Sequence, residues 1–313
     1  MEYPYYYSAN QYYRKLFGKK TYRLSLNGGM TCPNRDGTAG YGGCIFCSEG
    51  GSGDFAQSSL LSVQSQIDNA ISNVPERYAD SSFIAYFQAF TNTYAPTPYL
   101  ESVFGQAVSD QRISGLAIAT RPDCLPDDVI ALLVRLSQIK PLWIELGLQT
   151  INDTTAELIN RGYKLSVFED TFKKLKTAGI PVTVHVIVGL PGETPDDYRH
   201  CAAYLAQKHV HGIKIQLLHV LKGTKLAELY RNGGLNVLTL RQYVSAVADM
   251  LELLPDDTVI YRLTGDGPRD ILLAPMWSTD KKNVLNSIVG ELRRRGTYQG
   301  KEYENGIRIH YTI

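Results

Sequence analysis

The sequence predicts an α/β fold, a partial (β/α)6 TIM-like barrel followed by a C-terminal α/β extension. Six short apolar runs recur between about residues 20 and 235, and amphipathic helical stretches separate them. The runs are too apolar to face water on one side, as in parallel sheets covered by helices. Six units fall short of the eight that close a barrel, so an open barrel is predicted. The boundaries are an N-terminal Tyr-rich arm over 1–20, a core barrel over 21–235 and an extension over 236–313.

The first 22 residues carry seven tyrosines interleaved with Arg14, Lys15, Lys19 and Lys20. Aromatic faces beside cations can stack on and neutralise a polynucleotide. The same arm can also simply lie against the body. Thr21 to Leu26 sets Tyr22, Leu24 and Leu26 against Arg23 and Ser25 and reads as the first strand. Asn27 to Phe55 is rich in glycine and has no hydrophobic period, so it is expected to be a loop shaped by what it binds.

A helix over Ser58 to Val74 places Val63, Ile67, Ala70, Ile71 and Val74 on one face and stops at Pro75. Ser82 to Phe87 is the second strand, Tyr99 to Ser109 a helix and Gly115 to Ala119 the third strand. Pro126-Asp127-Asp128 opens a helix to Ile139, with acidic groups suited to the dipole of a first turn. Leu142 to Leu148 is the fourth strand. Ser166 and Glu169 have the spacing of a capping box, and Gly179 with Pro181 ends that helix. The fifth strand is Val182 to Val188 and the sixth Gly212 to Leu218, with helices over Asp196 to Gln207 and Thr224 to Asn232. Beyond Leu238 come a helix (Arg241 to Leu253), a strand (Val259 to Leu263), a glycine-rich turn, a helix near Lys281 to Arg295 and a final strand (Ile307 to Ile313). This extension is expected to close the open side of the barrel.

Over 313 residues, 44% hydrophobic and 20% charged content is that of an ordinary globular protein. A net charge of +1 gives no global pull toward DNA, RNA or a membrane, so any RNA surface must be local. The N-terminus lacks the apolar run of a signal peptide, and no stretch approaches the ~18 apolar residues of a spanning helix. Five cysteines, an odd number with three clustered, do not suit a disulfide framework. The expected location is the reducing cytoplasm.

The clustered cysteines are Cys32, Cys44 and Cys47, spaced C-x11-C-x2-C. A structural zinc wants four ligands, usually as two pairs; the fourth here would be Cys124 or a distant histidine. An iron–sulfur cubane normally takes four thiolates, and three would leave one iron open for a small chelating ligand. Both readings stand on the loop alone. Polar groups also fall at successive strand ends: Gln88, Thr120-Arg121-Pro122-Asp123, Glu145 to Gln149, His185 to Glu193 and Leu218-His219. Arg121 and Glu145 can equally be an ion pair inside the barrel, since buried charges need partners whatever the function.

Taken together, these motifs resemble the radical S-adenosylmethionine (SAM) superfamily, over about residues 21–225. They are Phe46 just before the third cysteine, Thr120-Arg121-Pro122-Asp123, Glu145-Leu146-Gly147-Leu148-Gln149 with Arg161 twelve residues after the Gln, and Gly189-Leu190-Pro191-Gly192-Glu193. The widened cysteine spacing resembles the branch related to the Elongator catalytic subunit. The resemblance implies a barrel of the radical SAM type, with Cys32, Cys44 and Cys47 holding a 4Fe–4S cluster and SAM chelating its open iron. It implies reductive cleavage of SAM to a 5′-deoxyadenosyl radical, with electrons from a donor such as flavodoxin or ferredoxin.

Further cofactor contacts are implied at Phe46, Gln88, Arg121, Glu145, Gln149, Arg161, His185 and Leu218. His185 stands where the haem-biosynthesis relatives carry Asp, and Ala119 where they carry Glu, so ribose contacts do not carry over there. Arg262-Leu263-Thr264-Gly265-Asp266-Gly267-Pro268-Arg269, Ala274-Pro275-Met276-Trp277 and Lys281-Lys282 resemble a bacterial branch acting on the tRNA wobble uridine, converting a 5-carboxymethylaminomethyl group toward 5-aminomethyl. Arg293-Arg294-Arg295 with Lys281 and Lys282 would then offer tRNA phosphates a local surface, or form a solvated face balanced by Glu291. The alternatives are a small-molecule reaction like that of the oxygen-independent coproporphyrinogen oxidase, and a zinc-stabilised scaffold. Asn34-Arg35-Asp36 are expected near SAM or substrate.

Overall fold

The computed structural model describes residues 5–51, 53, 56–265 and 267–304. Tyr3 of the arm and the predicted strand Ile307 to Ile313 lie outside the described residues. In chain order, α1 (Ala9–Phe17) leads into β1 (Thr21–Leu26), and the glycine-rich loop follows. Then come α2 (Val63–Ser72), β2 (Ser82–Phe87), α3 (Thr97–Ser109), β3 (Ile113–Thr120), α4 (Asp127–Ser137) and β4 (Leu142–Gln149). Next are α5 (Asp153–Leu158), α6 (Leu165–Thr177), β5 (Val182–Val188), α7 (Pro195–Lys208), β6 (Gly212–Leu217) and the two-residue β7 (Val220–Leu221). The chain continues with α8 (Lys225–Arg231), α9 (Leu240–Leu253), β8 (Val259–Arg262), β9 (Leu272–Ala274), α10 (Lys281–Arg295) and α11 (Lys301–Glu304).

The main sheet runs β1-β2-β3-β4-β5-β6-β8, with its strands in the order of the chain. All six predicted core strands are present. The predicted count is one short, because β8, assigned from sequence to the extension, pairs parallel with β6 through Gly212↔Val259 and Ile213↔Ile260. The βα alternation therefore carries on for one more unit past the point where the sequence pattern changes. A second sheet, β7 antiparallel to β9, was not predicted; strands of two and three residues carry no readable period.

The chain divides into two compact units. The first comprises Asn10–Leu148 and Gly162–Thr183. Its strands β1 to β4 form a parallel ladder, with Leu24↔Ala85, Ala85↔Leu116 and Leu116↔Leu142 in register. Leu24, Leu26, Ile84, Phe87, Phe104, Leu116, Ile118 and Leu133 are fully or almost fully buried. Each such side chain contributes roughly 1.5–3 kcal/mol relative to exposure. Gly115 has no room for a side chain, since a Cβ would sit 2.8 Å from the Pro141 carbonyl and from the Trp143 ring. Aromatics of the arm pack here: Trp143 Nε1 donates to Tyr12 Oη at 3.1 Å, and Tyr13 meets the Trp143 ring edge-on at 5.4 Å.

The second unit comprises the described residues of Met1–Ala9, Gln149–Arg161 and Val184–Ile313. Tyr7 takes part in its framework, with its N–H donating to Gln299 Oε1 and its carbonyl accepting from the N–H of Ile260. Capping boxes open α7 (Thr194 with Asp197) and α9 (Thr239 with Gln242). The box predicted at Ser166 and Glu169 does not form, because the helix is entered two residues earlier, with Lys164 at the N-cap and no side-chain cap. Among the described residues, no helix is long and apolar enough to cross a membrane.

Candidate active site

In the first unit, the loop after β1 is fastened at both ends. Gln66 Oε1 accepts from the N–H of Asn27 and Gln66 Nε2 donates to its carbonyl, while Phe90 N–H donates to the Gly51 carbonyl. The eleven-residue gap between Cys32 and Cys44 folds as a small hairpin. Asp36 and Tyr41 form an antiparallel bridge, Asp36 Oδ1 accepts from Thr38 N–H, and Gly43 N–H returns to the Asn34 carbonyl at 2.7 Å. A turn closed by Cys47 N–H to the Cys44 carbonyl brings the last two thiols together.

None of the three thiols is in a disulfide, and all three are half-buried. Each has a cation or donor beside it. Asn34 Nδ2 donates to Cys44 Sγ at 3.8 Å, Arg35 lies within electrostatic reach of Cys47, and Arg121 within reach of Cys32. The Cys47 thiol is held well above its ordinary range by its bond to Cys44 and by burial, with Arg35 acting the other way. Among the described residues, no three His, Cys, Asp or Glu side chains converge on a point to hold one metal ion. A multi-iron cluster binds its thiolates through different irons, so three separate thiols in one glycine-rich loop fit it.

Phe46 and Gln88, two of the implied cofactor contacts, belong to the same unit as this loop. Phe46 is half-buried within it, and Gln88 stands at the end of β2 with its N–H on the Leu26 carbonyl. Arg35 donates to the carbonyls of Ser48 and Glu49 and lies 5.3 Å over the Phe90 ring. Of the expected Asn34-Arg35-Asp36 group, the first two address the thiols and their turn, whereas Asp36 is exposed and serves the hairpin. Asn92 is fully buried and ties β2 to β3, donating from Nδ2 to the carbonyls of Phe87 and Ala119.

Arg121 and Glu145 each have a partner of their own. Arg121 chelates Asp123 through Nε at 2.9 Å and Nη2 at 2.6 Å and stacks 4.9 Å over Tyr163. Burial would lower its pKa, but Asp123 more than offsets this and keeps it charged. Glu145 accepts from Arg23 at 2.5 Å and from Tyr86 Oη at 2.7 Å. Ala119 pairs in register with Glu145. Cys124 is buried within electrostatic reach of Cys32, with its Sγ 3.8 Å from Asp123 Oδ1, and burial pushes its thiol up. Arg23 was not foreseen. The signal available was a cation inside a strand whose alternate residues are apolar.

In the second unit, Gln149 ends β4 in the left-handed region, φ 62°. Arg161 is fully buried and braces the segment after it, donating to the Thr150 carbonyl at 2.6 Å and to Asp153 at 3.2 Å. His185 Nδ1 pairs with Gln216 Nε2 at 3.2 Å, and Leu218 N–H donates to the Val188 carbonyl. Glu193, the last residue of the Gly-Leu-Pro-Gly-Glu turn, is pushed up to about 7, chiefly by burial and against hydrogen bonds from Thr150 and Thr155.

His219 Nε2 bonds Ser278 Oγ at 3.1 Å, and Ser278 in turn donates to the Pro275 carbonyl. Gly265 leaves the ring its space: a Cβ there would lie 2.4 Å from His219 Cε1. Burial, with Arg262 and Lys281 nearby, lowers His219 to about 4, so it is neutral. On α10, Glu291 takes both Arg294 and Arg295, and Arg295 also reaches Asp249 at 2.5 Å. This part of the predicted basic cluster is largely balanced, as the alternative reading of it expected.

The Radical SAM superfamily profile matches residues 32–205, and the Radical_SAM C-terminal domain profile matches 210–294. The chain is 44% identical to the uncharacterized protein YtqA of Bacillus subtilis (strain 168), covering 96% of this chain and 93% of that one. It is 38% identical to YhcC of Escherichia coli (strain K12) over 90% of each. Elongator complex protein 3 of Schizosaccharomyces pombe is more distant, at 26% identity over 72% of this chain and 41% of that protein. Among solved structures, archaeal Elp3 from Methanocaldococcus infernus superposes with a TM-score of 0.66 at 17% identity, over 92% of this chain and 68% of that one, which shows the shared fold. The zinc-scaffold reading is overturned by the family match. The chain belongs to the radical SAM superfamily, and is an enzyme of the kind that works with a 4Fe–4S cluster and SAM.

Proposed function

We propose that Cys32, Cys44 and Cys47 hold the 4Fe–4S cluster and that the enzyme acts on the side chain of the tRNA wobble uridine. The reaction proposed is conversion of 5-carboxymethylaminomethyluridine toward 5-aminomethyluridine. The observation that supports the cluster assignment is the placing of three thiols outside any disulfide in one glycine-rich loop, each with a donor or cation beside it. Bound there, the cluster and SAM would supply a 5′-deoxyadenosyl radical. The glycine-rich loop and the buried strand ends serve to keep water from that chemistry.

Phe46 in the loop and Gln88 at the end of β2 are assigned to SAM in the first unit. Gln149, His185 and Leu218, at or beside the ends of β4, β5 and β6, are assigned to it in the second. Arg121, Glu145 and Arg161 support the site by holding charge and backbone in place, since all three have protein partners. The tRNA reading rests on the resemblance of the C-terminal motifs to the wobble-uridine branch. In it, Arg262 and Lys281, both within electrostatic reach of neutral His219, are assigned to a substrate carboxylate. Lys282 and Arg293, both exposed, face the polynucleotide. The reductant is a flavodoxin- or ferredoxin-type protein, and the cytoplasm is the compartment that keeps the thiols reduced.

The test is the modified nucleosides of bulk tRNA from a deletion strain, with and without wild-type or Cys47→Ala protein. The expected result is loss of 5-aminomethyluridine and its derivatives, build-up of the carboxymethylaminomethyl form, and rescue by wild type alone. An unchanged nucleoside profile sinks the tRNA substrate. SAM cleavage to 5′-deoxyadenosine by the purified protein tests the cluster assignment separately.

A further inference from the structure

The spacing between Cys32 and Cys44 is long, and the structure gives the intervening residues a specific arrangement. Pro33 accepts from the N–H groups of Ala39 and Gly40, so the hairpin doubles back over its own start. Asn34, the residue inside that fold, is completely buried. Its carboxamide occupies space cleared by two glycines. A Cβ on Gly40 would lie 2.4 Å from Asn34 Oδ1, and one on Gly162 2.8 Å from it. Gly162 has φ 83°, so a side chain there is excluded by backbone conformation as well as by contact. The orientation this imposes sends Nδ2 to Cys44 Sγ at 3.8 Å.

A buried carboxamide confined by two glycines and aimed at a sulfur is more than a loop needs for its own folding. The hairpin's backbone bonds already close it. The two other thiols have cations instead, Arg35 beside Cys47 and Arg121 beside Cys32. Both are held by hard partners, the Ser48 and Glu49 carbonyls and the Asp123 carboxylate, so their charge is fixed in position.

We propose that Asn34 is a positioning and tuning residue of the iron–sulfur centre, its amide N–H donating to the Cys44 thiolate so as to raise the reduction potential. This rests on the assignment of the three cysteines as cluster ligands. One-electron reduction adds a negative charge that is shared with the thiolate sulfurs. A hydrogen bond to such a sulfur stabilises the reduced form more than the oxidised one and moves the potential upward. Burial strengthens the effect, because little water competes for the same sulfur. The eleven-residue spacing then has a purpose: it supplies the hairpin that brings a side-chain donor to the second cysteine.

The experiment compares wild type, Asn34→Leu and Asn34→Asp, each reconstituted anaerobically with iron and sulfide. Iron and sulfide content and Mössbauer spectra report whether a four-iron cluster is present, and EPR-monitored titration gives its midpoint potential. The expected result is four-iron clusters in all three, with a potential more negative in Asn34→Leu and more negative again in Asn34→Asp, which replaces the donor by a charge. Fully loaded variants with the wild-type potential overturn the proposal. A wild-type protein that takes no four-iron cluster overturns the ligand assignment instead. Should neither variant load, wild-type protein with 15N-labelled asparagine side chains is measured by HYSCORE in the reduced state. A side-chain nitrogen coupled to the cluster upholds the proposal, and its absence overturns it.

Discussion

The loop after β1 and the turn after β4 both leave the C-terminal end of a strand, and each is held by a completely buried polar side chain, Asn34 from within the loop and Arg161 reaching the turn from beyond α5. They spend it differently. In the loop, Asn34 reaches a thiol, and Arg35 and Arg121 stand beside the other two. In the turn, Arg161 is taken up by the chain itself, through Thr150 and Asp153. Both belong to recognisable sequence motifs. A motif residue can therefore keep a site in shape without touching what the site binds, and the hydrogen-bond partner separates the two roles.

The largest effect expected from breaking this contrast is on the loop side. Cys47→Ala should abolish four-iron cluster formation and 5′-deoxyadenosine production while circular dichroism shows the fold retained. Persistent SAM cleavage would mean that the ligands are others. Next comes Arg23→Leu, which leaves Glu145 buried with an uncompensated charge. Loss of one partner of such a pair costs about 3 kcal/mol, taken at the low end because Arg23 is 23% exposed. Urea unfolding measures this, and Arg23→Leu combined with Glu145→Leu should recover much of the loss. A single variant as stable as wild type would show that Glu145 does not depend on Arg23.

Glu193 makes a pH prediction. Its carboxyl is raised from the ordinary 4.5 to about 7 in the folded state, mainly by burial. The folded protein then holds a proton that the unfolded chain has released. The stabilisation is complete below about pH 4.5 and is lost as pH rises toward 7, a change of about 3 kcal/mol. Unfolding midpoints between pH 5 and 8 should therefore fall for wild type and change much less for Glu193→Gln. Equal slopes would refute the burial of this carboxyl.

The smallest effect belongs to the turn. Arg161→Lys keeps the charge but loses the fork geometry that serves Thr150 and Asp153 together, costing roughly 1–2 kcal/mol. It should leave the cluster's midpoint potential unchanged, in contrast to Asn34→Leu. A shift in potential would erase the distinction between the two segments.

Much of the fold was legible because its period is strong. Val182–Val188 is the predicted fifth strand to the residue, and Lys281–Arg295 the predicted helix. The failures have local causes. The Ser166 cap did not form because the helix starts earlier, and β7 with β9 is too short for a pattern. β8 had a strand signature, but its partner lies 47 residues back, at the Gly212↔Val259 pairing, and nothing in a local window reveals such a partner.

By itself the sequence determined the alternation of strands and helices, the three-cysteine loop and the set of polar strand ends. Each depends on residue type, spacing and period, which a linear chain displays. Tertiary structure alone decided which charges meet. Arg23 finds Glu145 across 122 residues, Arg121 turns to Asp123, and Asn34 reaches Cys44 because Gly40 and Gly162 make room for it. Electrostatics and close packing act through distance in space, and the folding of the chain sets that distance.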